Sequence, residues 1–170
     1  MIKFNKFCTL VQVQTYYLKT EIGSLEIKGD HNGLKSVVFV NKVDEKDKKE
    51  IPKVLKESVN QLTEYFNGKR THFTLKLSPE GTDFQKKVWK QLQEIPFGKT
   101  TSYQKMANLL GNPKVIRAAA SANGKNPISI IIPCHRVIGS DGSLIGYAGG
   151  LHRKKWLLEF ESPSPQQSLF

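Results

Sequence analysis

Apolar positions change their spacing about half-way along the chain. In the first half they alternate with polar ones in short runs, the pattern of strands half-buried on a sheet. Thr15 to Lys19 and Ser24 to Lys28 are expected as short strands around a turn at Gly23. Leu34 to Val40 follows Asn32-Gly33, a hairpin signal ahead of an apolar, β-branched run. Asp44 to Glu50 is a mixed charge run that reads as a solvated loop. Pro52 then opens a helical pattern through Val54, Leu55, Val59, Leu62, Tyr65 and Phe66, closed by Asn67-Gly68. Thr71 to Leu77 alternates again as a last strand before Ser78-Pro79, where a domain boundary is expected.

Beyond that boundary the spacing lengthens to that of helices separated by tight turns. Thr82 or Asp83 can cap a helix with Phe84, Val88, Trp89 and Leu92 on one face, ended by Ile95-Pro96-Phe97-Gly98. Ser102 caps a second, Tyr103 to Leu110, stopped by Gly111. Asn112-Pro113 starts a third through about Ala122, and Arg153 to Phe160 forms a fourth. Gly139 to Gly150 is expected as a hairpin turning at Asp141-Gly142. The predicted fold class is α/β. A small N-terminal α/β domain, 1–79, of a sheet plus a helix precedes a mainly helical C-terminal domain, 80–161. The tail 162–170, with Pro163 and Pro165, is expected to be disordered.

Charge narrows the partner class. Lysine and arginine number 26 against 15 acidic residues, a net charge of +11 over 170 residues. Such an excess favours a polyanion, nucleic acid first and an anionic membrane surface second, although a basic protein that is merely soluble has the same composition. No segment approaches the ~18 consecutive apolar residues of a membrane span, and Met1 to Val13 lacks the apolar stretch of a secretion signal. The two cysteines, Cys8 and Cys134, fall in what read as different domains. Free thiols in a reducing cytoplasm are therefore expected. His31, His72 and His152 are scattered, and no Cys-x-x-Cys pair exists, so no metal site is expected.

One segment suggests chemistry. The run Ile130-Ile131-Ile132 reads as a buried strand that Pro133 ends, handing over to Cys134, His135 and Arg136. A thiol beside an imidazole and a guanidinium is expected to ionise below the free value of about 8.5. A buried, inert thiol is the plainer alternative. Neighbouring residues of a regular strand point to opposite faces, so a turn or a bridging water must connect Cys134 to His135. An acid that orients the histidine must come from elsewhere, and Glu161 at the end of the last helix is a candidate. The helix pair around Gly111 has the layout of a helix-turn-helix, its second helix carrying Lys114, Arg117 and the small run Ala118 to Ala122. An alanine-rich helix that packs well and exposes one arginine has the same pattern. A cysteine hydrolase and a transcription regulator both remain open at this point.

Taken together, Ser102-Tyr103-Gln104, Gly111-Asn112-Pro113, Arg117, Asn126-Pro127, Pro133-Cys134-His135-Arg136-Val137 and Tyr147-Ala148-Gly149-Gly150-Leu151, followed by the Trp156 helix, resemble the O6-alkylguanine-DNA alkyltransferases. The similarity is strong over about residues 80 to 161 and one of general texture before that. It implies a DNA repair protein that flips an alkylated guanine from the duplex and takes the alkyl group irreversibly onto Cys134, once per chain. By resemblance, His135 deprotonates Cys134 through a water, Glu161 orients His135, and Asn126 holds the water network or the turn. Tyr103 crowds the 3′ phosphate and donates to the departing base, and Arg117 fills the gap in the stack. Lys114 and Ala118 belong to the DNA-binding helix, while Val137, Tyr147 and Ala148 line the base pocket. The implied partner is double-stranded DNA containing O6-alkylguanine, with no cofactor, no small-molecule methyl donor, no membrane and a monomeric protein. Some relatives carry serine where Ala148 stands, and Cys8 lacks the second cysteine of a vertebrate-type zinc site. A silent damage-binding relative characteristically lacks the cysteine that this chain has.

Overall fold

A computed structural model describes residues 12–43 and 50–162. Cys8, most of the charge run at 44–50 and the tail beyond residue 162 lie outside the described residues. The first half folds as an antiparallel sheet of β1 (Gln14–Thr20), β2 (Gly23–Asp30) and β3 (Gly33–Val40), in the order β1-β2-β3. Gly23 and Gly33 turn the chain with φ of +121° and +137°, conformations that disfavour side chains. Leu25 and Ile27 of β2 and Leu34 and Val37 of β3 face inward and are buried against α1 (Lys56–Phe66), where Val59, Leu62 and Tyr65 meet them. Pro52 leads into a short 3-10 turn, Lys53–Leu55, ahead of α1.

Residues 71–77 depart from the strand expected there. Only Leu77 bridges to the sheet, in parallel with Leu34. The Leu34 N–H donates to Lys76 O at 2.8 Å, while the Thr74 N–H goes to the buried Gln61 side chain at 2.9 Å. A side-chain amide on α1 thus takes the place of a ladder partner, and the segment stays extended without becoming a strand.

In the second half, α2 (Asp83–Gln93) starts in a capping box: Thr82 accepts from the Gln85 N–H and the Gln85 side chain accepts from the Thr82 N–H. After β4 (Thr101–Ser102), α3 (Tyr103–Leu109) is capped by Ser102, and a 3-10 turn at Pro113–Val115 leads into α4 (Ile116–Gly124). Lys114 therefore stands in the turn ahead of α4 and not on the helix. Trp89 of α2 donates to Ala122 O at 2.9 Å and pins α4. β5 (Val137–Ile138) pairs in parallel with β4, and α5 (Leu151–Phe160) closes the domain.

The expected hairpin at 139–150 is a turn alone. Gly139 and Ser143 close it, the N–H of Gly139 donating to Ser143 O at 2.8 Å, and no ladder follows. The carbonyls of Ile145 and Gly146, which a hairpin would pair, instead accept from Lys154 Nζ.

The two halves share one core, in which Val37 and Tyr65 belong to the same cluster as Ile128, Ile132 and Leu157. The edge of β3 carries this continuity. The Val37 N–H donates to Pro127 O at 2.9 Å, and Val37 O accepts from the Ser129 N–H at 2.8 Å. The sheet of the first half thereby grips the chain five residues ahead of Cys134. No helix among the described residues is long and apolar enough to cross a membrane.

Candidate active site

The apolar run before Cys134 is buried, but it is not a strand. Ile130 has φ of +72°, a left-handed conformation that costs a β-branched residue energy. The Ile131 N–H donates to Ser129 O at 2.9 Å, closing a γ-turn around Ile130, and the Cys134 N–H closes a second such ring on Ile132 O at 2.8 Å. An apolar β-branched run reports burial; here the backbone bonds are local, and two tight turns replace the ladder. They deliver Cys134 at the head of a 3-10 turn, Cys134–Arg136, in which all three side chains are buried.

Asn126 ties this loop together. Its Oδ1 accepts from the Ile128 N–H at 2.9 Å, and its Nδ2 donates to Ile132 O at 2.8 Å and to Cys134 Sγ at 3.1 Å. One amide thus sets the turn and also offers the sulfur a donor that favours its ionised form. Burial nevertheless dominates and pushes the Cys134 thiol above its ordinary value, against the lowering effects of Asn126 and the Lys154 cation. The expectation of a thiol ionised below the free value fails for this reason. The guanidinium that was to assist it points elsewhere: Arg136 donates from Nε to Glu161 Oε2 at 2.8 Å, from Nη2 to Glu161 Oε1 at 3.0 Å, and from Nη1 to Ile95 O at 2.6 Å.

Glu161, at the C-terminal cap of α5, is buried and surrounded by donors. His135 Nε2 lies 2.9 Å from its Oε1, and the Tyr65 hydroxyl donates to the same oxygen at 2.7 Å. Burial alone would raise the carboxyl's pKa; the hydrogen bonds and charges of His135 and Arg136 outweigh it and hold the group down at about 2. An ionised Glu161 can only accept, so Nε2 of His135 carries the ring proton and Nδ1 keeps its lone pair. Nδ1 is buried and has no hydrogen-bond partner among the described residues. Burial also holds the imidazole below its ordinary range, against the raising effect of Glu161, so the ring is neutral near pH 7. Sulfur and imidazole make no direct hydrogen bond. A neutral base with a free lone pair and a high-pKa thiol form a pair suited to proton transfer at the moment of reaction.

The remaining candidates fall into two groups. Val137, Tyr147 and Tyr103 lie around the cysteine. The Tyr147 ring sits edge-on to His135 with centroids 6.5 Å apart, and its hydroxyl is buried beside Ser129. Ala148, next to it, is exposed. The Tyr103 hydroxyl donates to Ile145 O at 3.1 Å; burial raises its pKa, and the nearby Cys134 adds to that. Lys114, Arg117 and Ala118 form the second group, all exposed; Arg117 has no side-chain hydrogen bond or ion pair among the described residues. On α4, Ala119 and Ala122 face the core while Ala118 and Ser121 face outward, so small residues coat both faces.

Three residues of the site have roles that the sequence does not signal. Lys154 sits between Arg153 and Lys155 like one of a solvated basic run, yet it is fully buried. Its Nζ donates to Val137 O and Ile145 O, each at 2.7 Å, and burial lowers its pKa to about 8. Tyr65 reads as one more apolar helix position, and Arg136 as a neighbour of the thiol. Their roles need the three-dimensional meeting of α1, α5 and the Cys134–Arg136 turn.

Comparison with known proteins gives this arrangement a context. Residues 83–163 match the DNA-binding domain model of the 6-O-methylguanine DNA methyltransferases, and residues 13–79 match that family's ribonuclease-like domain model. The chain belongs to the 6-O-methylguanine DNA methyltransferase family. It is 49% identical over 155 residues to a methylated-DNA–protein-cysteine methyltransferase of Methanosarcina barkeri, covering 86% of this chain and 96% of the relative. A probable methylated-DNA–protein-cysteine methyltransferase of Acanthamoeba polyphaga mimivirus is 47% identical, covering 88% of this chain and 97% of the relative. The crystal structure of the Mycobacterium tuberculosis O6-methylguanine methyltransferase superposes with a TM-score of 0.80 at 41% identity, covering 92% of this chain and 97% of that one. The same organism's OGT in complex with DNA superposes with a TM-score of 0.77, covering 86% and 92%.

Proposed function

We propose that this protein repairs DNA by moving a methyl group from O6 of guanine onto the sulfur of its own Cys134. The observation that carries the reading is the geometry of four buried residues. Asn126 donates to the sulfur, and His135 next to it presents a neutral Nδ1 fixed by Glu161. In the reaction the thiol proton passes through a water to His135 Nδ1. The sulfur attacks the methyl carbon, the S–C bond forms, and the C–O6 bond breaks. The electron pair leaves with guanine, whose developing charge the Tyr103 hydroxyl meets with a hydrogen bond. Tyr103 exchanges its present acceptor, Ile145 O, for the base.

The thioether that results has no proton to lose and is a poor leaving group, so each chain acts once. Lys154, positive beside the sulfur, stabilises charge on it before transfer. A base inside a duplex cannot reach a buried sulfur, so the nucleotide must leave the stack, at a cost of a few kcal/mol. Arg117, exposed and unpaired at the start of α4, then fills the gap, with Lys114 and the backbone beside Ala118 against the phosphates. Val137, Tyr147 and Ala148 line the pocket for the extruded base. The relative that was solved with DNA supports DNA as the partner, and the family supports the reaction class. The protein needs no methyl-donor cofactor for this, works as a monomer, and is built as a supporting domain, 1–79, and an acceptor domain, 80–161.

The test is a count of turnovers. Protein is mixed with a tenfold excess of duplex DNA containing O6-methylguanine, and the restored guanine is quantified. We expect repair to stop at one equivalent per chain and to be absent in Cys134→Ser. Continued turnover would overturn the acceptor role.

A further inference from the structure

Tyr65 belongs to α1 in the first half of the chain, yet its hydroxyl lies at the centre of the site in the second half. The ring is fully buried in a nest of Phe66, Phe73, Phe97 and Phe160, with centroids 5.3 to 6.2 Å away. A phenylalanine would satisfy all of that packing. The hydroxyl makes one hydrogen bond, to Glu161 Oε1 at 2.7 Å, across 96 residues of sequence. A buried phenol is costly unless its O–H is paired, so the bond is a specific feature of the fold.

Oε1 is the oxygen that faces His135. It accepts from Tyr65, from His135 Nε2 and from Arg136 Nη2, whereas Oε2 accepts from Arg136 Nε and, at 3.5 Å, from the Gly98 N–H. The Arg136 fork fixes the plane of the carboxylate. Tyr65 approaches the same oxygen as the imidazole and draws on the charge that would otherwise hold the imidazole's second proton. We propose that Tyr65 is a positioning residue contributed by the N-terminal domain, holding Glu161 so that His135 remains a neutral, oriented base. This rests on the role given to His135 above and assigns a task in the chemistry to a domain otherwise seen as support.

The groups facing His135 set the sign of the effect. Arg136 and Lys154 are positive, Glu161 is negative, and Cys134, Tyr147 and Tyr65 are neutral at pH 7. Removing the Tyr65 hydroxyl leaves more negative charge on Oε1 for the imidazole. His135 then binds a proton more tightly, and a protonated ring cannot accept one from the thiol.

The experiment follows the His135 imidazole by NMR against pH, alongside the single-turnover transfer rate, in wild type, Tyr65→Phe and Phe73→Leu. Tyr65→Phe is expected to raise proton affinity at His135 about tenfold, one pH unit in the midpoint. The acid limb of the rate profile moves up with it. Phe73→Leu removes packing from the same ring; it lowers the Tm and moves neither midpoint nor limb. Should Tyr65→Phe fail to fold, 3-fluorotyrosine placed at position 65, a stronger donor, is expected to move the midpoint downward. A midpoint unmoved by the substitution at 65, or moved equally by Phe73→Leu, overturns the proposal. A wild-type protein that takes up no methyl group defeats the functional reading instead, and the NMR midpoint still reports on Tyr65.

Discussion

The buried cluster around Glu161 and the exposed face of α4 are both rich in polar side chains, and they differ in what a free protein reveals of them. In the cluster, Tyr65, His135 and Arg136 each show their partner, and the hydrogen bonds leave one arrangement. On α4 and the turn before it, Arg117 and Lys114 show only charge facing solvent. Polar groups turned inward must be satisfied within the fold, so their roles can be read from distances. Those turned outward are completed by a partner, and their roles rest on chemistry and likeness. The two regions should therefore respond differently to substitution: the first through stability and chemistry together, the second through DNA alone.

The sharpest break would come at Glu161. Glu161→Gln leaves the buried Arg136 without a counter-charge, and about 3–5 kcal/mol of stability should be lost. Urea denaturation measures this, and a loss under about 1 kcal/mol would place the cluster on the same footing as the surface. Acid acts on the same group. Its folded pKa of about 2 lies below the unfolded value of about 4.3, so its contribution is complete above about pH 4.3 and is lost as pH falls toward 2. The difference corresponds to about 3 kcal/mol in that window. Denaturation curves taken across it should lose this pH dependence in Glu161→Gln; an identical dependence in the variant would contradict the assignment.

Arg117→Ala should behave in the opposite way. Its Tm should match wild type, while repair of duplex DNA falls at least about tenfold, or 1.4 kcal/mol in the barrier, and reaction with free O6-methylguanine base barely changes. Equal losses on both substrates would remove Arg117 from base extrusion. The smallest effect is expected at Lys114. Lys114→Ala should reduce the slope of log affinity against log salt by about 0.9, the mark of one phosphate contact. An unchanged slope would mean that Lys114 faces solvent in the complex too.

Legibility in the sequence followed a similar division. The strands β1 to β3, the helices and their caps at Thr82 and Ser102 were readable because periodicity and capping act locally. Cys134, His135 and Glu161 stand out from the residues themselves and Asn126 through the motif resemblance, and the structure brings all four together. What failed depended on distant partners. Ile130 to Ile132 reads as a strand by composition, but its backbone bonds close tight turns below Cys134. The segments at 71–77 and 139–150 lost their ladders to Gln61 and Lys154, side chains from other elements. Arg136 stands beside the cysteine in sequence and serves Glu161 in space, and burial moves the thiol's pKa opposite to expectation. Adjacency along a chain says little about electrostatic neighbours once a turn intervenes.

The difference between the two regions matters only if the buried one holds the acceptor. Intact-mass spectrometry after incubation with a duplex carrying O6-methylguanine, followed by peptide mapping, tests that claim directly. A gain of one methyl group per chain is expected, on Cys134 and not on Cys8. A methyl group on any other residue, or none on protein that has restored the guanine, would contradict it.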